Sequence, residues 1–211
     1  MDSYPTKISI SWSSDLDGCQ IFFDDAIKNC AKSIPGCIFQ IDGAGEIAGS
    51  TYTANYILEN AVKMTRKGWN IDSSCATSAL DSILNMAGGG ADFVIILTNQ
   101  SITTHAYYDN YEYHSRNAAI ITLKDCDIDT QNMTTLLLKH VIWHFFCKTD
   151  TPGNYCRDRA CIMSPTVGPN YMKQLAQDEE ELGLDSFCRE CREKLRKSRY
   201  WDEAVPSIVK Q

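Results

Sequence analysis

Two histidines four residues apart, His140 and His144, stand in the mostly apolar run Leu136-Leu-Leu-Lys-His-Val-Ile-Trp-His-Phe-Phe-Cys147. On a helix, residues at i and i+4 share a face one turn apart, so both imidazoles can reach one metal ion at about 2.0–2.1 Å. Zinc hydrolases with an H-E-x-x-H motif carry a glutamate after the first histidine as general base. Here that position is Val141. The pair alone fits buried core histidines as readily as ligands. Further along, Cys156 and Cys161 form one close pair and Cys188 and Cys191 a second. Two such pairs suit a closed, tetrahedral, all-thiolate zinc site. The competing reading is two disulfides or free buried thiols. The Cys-x-x-Cys spacing favours zinc, as does an N-terminus with no charged and apolar leader. The remaining cysteines, among them Cys19, Cys30, Cys37, Cys75 and Cys126, are scattered singly and read as small core residues.

These residues need a scaffold, and the first half of the chain reads as α/β. Lys7–Trp12 alternates polar and apolar, a strand pattern. Asp15 and Asp17 offer N-cap carboxylates to a helix over Cys19–Ala31, and Ile34-Pro-Gly36 stops it before a second strand, Cys37–Ile41. Strand, helix, strand in this span is the βαβ pattern. The glycines at 43, 45 and 49 have the wrong spacing for a dinucleotide fingerprint and read as a loop. Helices are expected over Thr53–Arg66 and Ser73–Met86, and a fully buried central strand over Asp92–Leu97. Thr103–His114 reads as an irregular edge strand or hairpin turning at Asp109-Asn110, and Ala118–Leu123 as a further strand. Asp125–Asp129 then leads into the histidine helix. Lys173–Leu182 and Arg189–Arg199 are expected to be helical.

The constellation resembles the archaemetzincin family of zinc metalloproteases. That family follows H-E-x-x-H-x-x-G-x-x-H with C-x4-C-x-M and a distal C-x-x-C. Here Cys156-x4-Cys161-x-Met163 and Cys188-x2-Cys191 keep the later part, and the strands ahead of the histidine helix agree in order. The resemblance implies a metzincin-like mixed sheet, with the histidine helix closing an N-terminal α/β subdomain at 1–147. A small C-terminal subdomain at 148–211 would hold a four-cysteine zinc. It further implies that His140 and His144 face a second zinc and that Met163 forms the turn beneath it.

The departures bear on chemistry. With Val141 in the glutamate's place, the general acid–base contribution, typically 10²–10⁴-fold, is missing. The motif glycine is Cys147, and the third histidine is absent. Asp150, ten positions after His140, ranks first as a third ligand, Cys147 second and Tyr155 third. Cys147 and His140 are about 10.5 Å apart along a helix, too far to share one ion without a break. Glu112 is the one nearby carboxylate to consider as a substitute base. His105 and His114, on the same polar segment, read as surface residues.

At 211 residues with 44% hydrophobic and 22% charged content, the chain suits one compact unit. A net charge of −7 argues against nucleic acid as a partner, and the basic run after Arg189 reads as a solvated face. No apolar run is long enough to span a membrane, and a cytoplasmic protein is expected. Three functions stand open. The first is a pseudo-metalloprotease that binds a peptide or protein. The second is an active zinc peptidase with an unusual base. The third is a structural zinc protein in a larger assembly.

Overall fold

The computed structural model of the chain describes residues 5–34, 36–44, 54–65, 68–72, 90–104, 108–110, 112–114, 118–126, 129–148, 156–158, 161, 163–164 and 187–197. A mixed five-stranded sheet forms its frame. In chain order its strands are β1 (Thr6–Trp12), β2 (Cys37–Ala44), β5 (Phe93–Thr98), β8 (Glu112–His114) and β9 (Ala118–Thr122). They lie in the order β2-β1-β5-β9-β8; the first four are parallel and β8 runs antiparallel at the edge. The parallel strands explain the continuous apolar run Phe93-Val-Ile-Ile-Leu97, since a central parallel strand is covered on both faces. Every residue of β5 is buried.

The two faces separate by the period of two. Ile8, Ile10 and Trp12 of β1 join Phe93, Ile95 and Leu97 of β5, with Ala119 and Ile121 of β9, in one hydrophobic cluster. Val94, Ile96, Ala118 and Ile120 are buried outside that cluster. Two helices cover the first face. The helix α1 (Gln20–Ser33) contributes Phe23, Ala26, Ile27 and Cys30, the i, i+3, i+4, i+7 stripe of an amphipathic helix. The helix α3 (Thr130–Lys148) contributes Met133, Leu136, Leu137, Leu138, Val141 and Ile142. Trp12 meets Phe23 with ring centroids 5.1 Å apart and tilted by 54°. The two helices touch where the Cys30 thiol donates to the Thr134 carbonyl at 3.6 Å. Burial pushes that thiol's pKa well up, so Cys30 is a neutral core residue.

Three expectations are corrected. Asp15 and Asp17 do not cap α1: they lie in a 3-10 turn, Ser14–Cys19, and Cys19 stands at the N-cap with no side-chain cap. The helix expected over Thr53–Arg66 ends early. It is α2 (Ala54–Ala61), and the chain then enters β3 (Val62–Thr65), antiparallel to β4 (Gly68–Asp72). Asp109 and Asn110 are not a turn but belong to β7 (Tyr108–Asn110), antiparallel to β6 (Ile102–Thr104). With β4 parallel to β6, these four strands make a second sheet in the order β3-β4-β6-β7. The helices expected at 73–86 and 173–182 lie outside the described residues. The basic helix is present as α4 (Arg189–Lys197). Among the described residues, no helix is long and apolar enough to cross a membrane.

Candidate metal centre

Four cysteines converge beside the core. Cys156, Cys161, Cys188 and Cys191 place their sulfurs within 4.8 Å of one another, and the Cys156 and Cys188 Sγ atoms are 3.5 Å apart. None of the four is in a disulfide. Local backbone bonds set the geometry. The first pair sits in a tight turn: Cys161 N–H donates to the Asp158 carbonyl at 3.1 Å, and Ser164 N–H to the Cys161 carbonyl at 2.8 Å. Cys156 N–H closes the loop on the Met163 carbonyl at 3.0 Å. The second pair sits at the start of α4. Arg192 N–H donates to the Cys188 carbonyl at 2.9 Å, and Cys191 N–H to the Cys188 sulfur at 3.5 Å. Cys188 therefore precedes the helix and Cys191 occupies its first turn, so both sulfurs face the same point.

The donor set fits zinc. Four thiolates at about 2.3 Å from a tetrahedral ion stand roughly 3.8 Å from one another, within the spacing seen. Charge points the same way. The Cys191 thiol donates to Cys161, and neighbouring donors help to bring the Cys161 pKa down to about 5. Cys191 is raised, first by that same hydrogen bond and then by burial. Burial comes first in pushing Cys156 up to about 11. One thiolate thus shares protons with its neighbours, an arrangement that a divalent cation would replace by four thiolates. Cys161, Cys191 and Met163 belong to the same hydrophobic cluster as the sheet and helices, and Cys156 and Cys188 pack against it.

The histidines are differently placed. His140 and His144 are both fully buried on α3. The His144 ring stacks on Phe93 of β5, centroids 4.3 Å apart and 22° between planes. His140 Nε2 lies 3.5 Å from Glu112 Oε2, and Glu112 is itself buried on the edge strand β8. Lys139 Nζ donates to the same carboxylate, at 3.2 Å to Oε2 and 3.4 Å to Oε1, and to the Ser164 carbonyl at 3.0 Å. Among the described residues, the only group of three or more His, Cys, Asp or Glu with donor atoms close enough for one ion is the four cysteines. Among the described residues none joins the two histidines as a third ligand.

Asp150, Tyr155 and His105 lie outside the described residues. Cys147 falls in the last turn of α3, and His114 sits in β8 opposite Ala119. Val141 is completely buried within the hydrophobic cluster. The sequence reading passed over Lys139. A lysine inside an apolar helical run was the available signal, because lysine is almost never fully buried unless it is paired.

No protein-family model matches the chain, and no curated protein matches it in sequence. Solved structures do. The chain is similar to archaemetzincin from Methanopyrus kandleri at TM-score 0.59 and 15% identity, over 93% of this chain and 97% of that one. Archaemetzincin from Archaeoglobus fulgidus, complexed with malonate, matches at 0.50 and 15%, over 90% and 99%. A zinc-dependent peptidase from Methanocorpusculum labreanum matches at 0.50 and 13%, over 89% and 98%. The similarity covers most of both partners in each case. This chain has the fold of the archaemetzincins.

Proposed function

We propose that the chain is a zinc-binding protein of archaemetzincin fold that does not hydrolyse peptide bonds and acts as a binding or regulatory module for a peptide or protein. Cys156, Cys161, Cys188 and Cys191 would hold the ion. A closed four-thiolate site leaves no open position for a substrate, so zinc there supplies folding energy. Unbridged thiols suit a reducing, cytoplasmic compartment.

The observation that carries the non-hydrolytic reading is Val141. It stands one residue after His140 on α3, fully buried, where hydrolysis of this type needs a carboxylate in contact with water. Zinc per chain and peptide hydrolysis, measured on the same purified protein, test the proposal. The expected result is zinc lost on Cys161→Ser together with Cys191→Ser, and no cleavage of a mixed peptide library. Cleavage that disappears with His140→Ala would overturn it.

One observation favours a second reading, an active peptidase with Glu112 as the base: its carboxylate is 3.5 Å from His140 Nε2. Against it, both Glu112 oxygens accept from Lys139 and the side chain is buried. Loss of hydrolysis on Glu112→Gln would be its signature.

A further inference from the structure

Each cysteine pair is shaped by bonds within its own stretch of chain. Around Cys188 and Cys191, Arg192 N–H reaches the Cys188 carbonyl, Cys191 N–H the Cys188 sulfur, and Arg192 Nε the Phe187 carbonyl at 3.0 Å. The segment of Cys156 and Cys161 has local bonds too, and Ser164 N–H closes its turn on the Cys161 carbonyl. It also has a distant one. The Ser164 carbonyl accepts from Lys139 Nζ at 3.0 Å, from the helix α3, 25 residues earlier in the chain. Apolar contacts of Cys161 and Met163 hold this segment against the core, but such contacts are not directional. The hydrogen bond is.

The ammonium is itself held from the other side. Lys139 is buried, and the buried Glu112 on β8 accepts from it at 3.2 Å through Oε2 and 3.4 Å through Oε1. A buried charge without a partner is costly, so the carboxylate fixes where the ammonium stands. A nitrogen anchored by α3 and β8 thus aims a donor at the turn that presents Cys161. We propose that Lys139 is a positioning residue for the cysteine centre: held by Glu112, it orients the Cys156–Cys161 half through the Ser164 carbonyl and so raises the affinity for zinc without contacting the ion. This rests on the reading of the four cysteines as the zinc ligands. Groups that orient ligands from outside the coordination sphere contribute about 10–100-fold in metal affinity. Such coupling is reciprocal, so zinc strengthens the Lys139 contact by as much as the contact strengthens zinc binding. Occupancy of the cysteines is therefore felt at Glu112, whose Oε2 lies 3.5 Å from His140 Nε2 on the histidine helix.

Zinc affinity of the full chain, read by competition with a chromophoric chelator, tests the proposal. The proteins compared are wild type, Lys139→Met, Lys139→Met combined with Glu112→Leu, and Leu137→Ala, each shown to be folded by circular dichroism. Lys139→Met strands the Glu112 carboxylate in the core. The double variant removes both charges, and it carries the test where the single one does not fold. Both Lys139 variants should bind zinc more weakly by roughly tenfold to a hundredfold. Their cobalt(II) forms should keep the thiolate charge-transfer band of the wild type, because all four ligands remain. Leu137→Ala weakens the core on the same helix without touching the turn, and should bind zinc as the wild type does. Lys139 variants that bind as tightly as wild type, or a Leu137→Ala that loses as much as they do, would overturn the proposal. A wild type that binds no zinc sinks the cysteine reading and this inference with it, whereas equally tight binding by wild type and double variant sinks this inference alone.

Discussion

At the scale of single residues, Val141 and the four cysteines make opposite demands on charge. Val141 lies in a packed apolar cluster with its side chain fully buried. Restoring the protease-like residue with Val141→Glu should therefore place an unpaired carboxylate in the core. A loss of about 3 kcal/mol or more is expected from denaturant titration, with no gain in peptide cleavage. The cysteines instead need charge removed by a cation. Without zinc, Cys156 at about 11 and Cys191, also raised, keep their protons at neutral pH, whereas Cys161 at about 5 has lost its own. Binding must expel at least the two retained protons, so affinity rises with pH. Each displaced proton contributes about tenfold per pH unit, giving at least roughly a hundredfold per unit between pH 6 and 8. Near pH 5 and below, Cys161 is protonated as well and the dependence steepens. Competition with a chelator across that range reads the slope, and a flat profile would mean the thiols are not the ligands.

The elements owe their order to how each buries its apolar side. Leu137 is completely buried on α3, against the sheet face that also holds Phe93, Ile95 and Leu97. Leu137→Ala should cost about 2–5 kcal/mol by opening a cavity that rigid neighbours cannot close. Lys28→Ala, which breaks an exposed ion pair with Asp25 on α1, should leave the melting temperature unchanged. Thermal unfolding of the two variants side by side makes the comparison. The same contrast explains which elements were readable from sequence. The strand β5 and the stripe of α1 announce themselves because burial sets their composition directly. The β3–β4 hairpin does not. Val62-Lys-Met-Thr65 continues the helical spacing of α2, and Arg66-Lys67 lacks the Asn-Gly or Asp-Gly signature of a tight hairpin. Its strand state depends on pairing with Gly68–Asp72 and on the parallel strand β6 beyond, partners that no local window contains. The four-cysteine cluster was readable because metal spacing is local within each pair. The Lys139–Glu112 contact was not: it joins residues 27 apart through tertiary packing alone.

For the whole molecule the relevant fact is that the four cysteines proposed to hold zinc share one core with the sheet. Cys161, Met163, Phe187 and Cys191 pack in the same hydrophobic cluster as Ile8, Trp12, Phe23, Leu137 and Val141. The Lys139 ammonium adds a polar tie between α3 and Ser164, three residues beyond Cys161 in the chain. A zinc module hanging from an independent domain would melt by itself when stripped of metal, leaving the sheet intact. The proposed zinc site, built into the common core, would not do so. Removing its ion leaves four sulfurs crowded within 4.8 Å and withdraws folding energy from the unit that also holds α1 and α3. Chelation should then lower the unfolding midpoint of the entire described core in one cooperative step. Far-ultraviolet circular dichroism follows the helices and the sheet, and Trp12, buried and tilted against Phe23, contributes a core signal to the fluorescence of the chain's four tryptophans. Coincident shifts of both signals on adding chelator, reversed by adding zinc, are the expected outcome. A low-temperature loss of part of the dichroism with the tryptophan signal unmoved would instead place the zinc site in a separate folding unit.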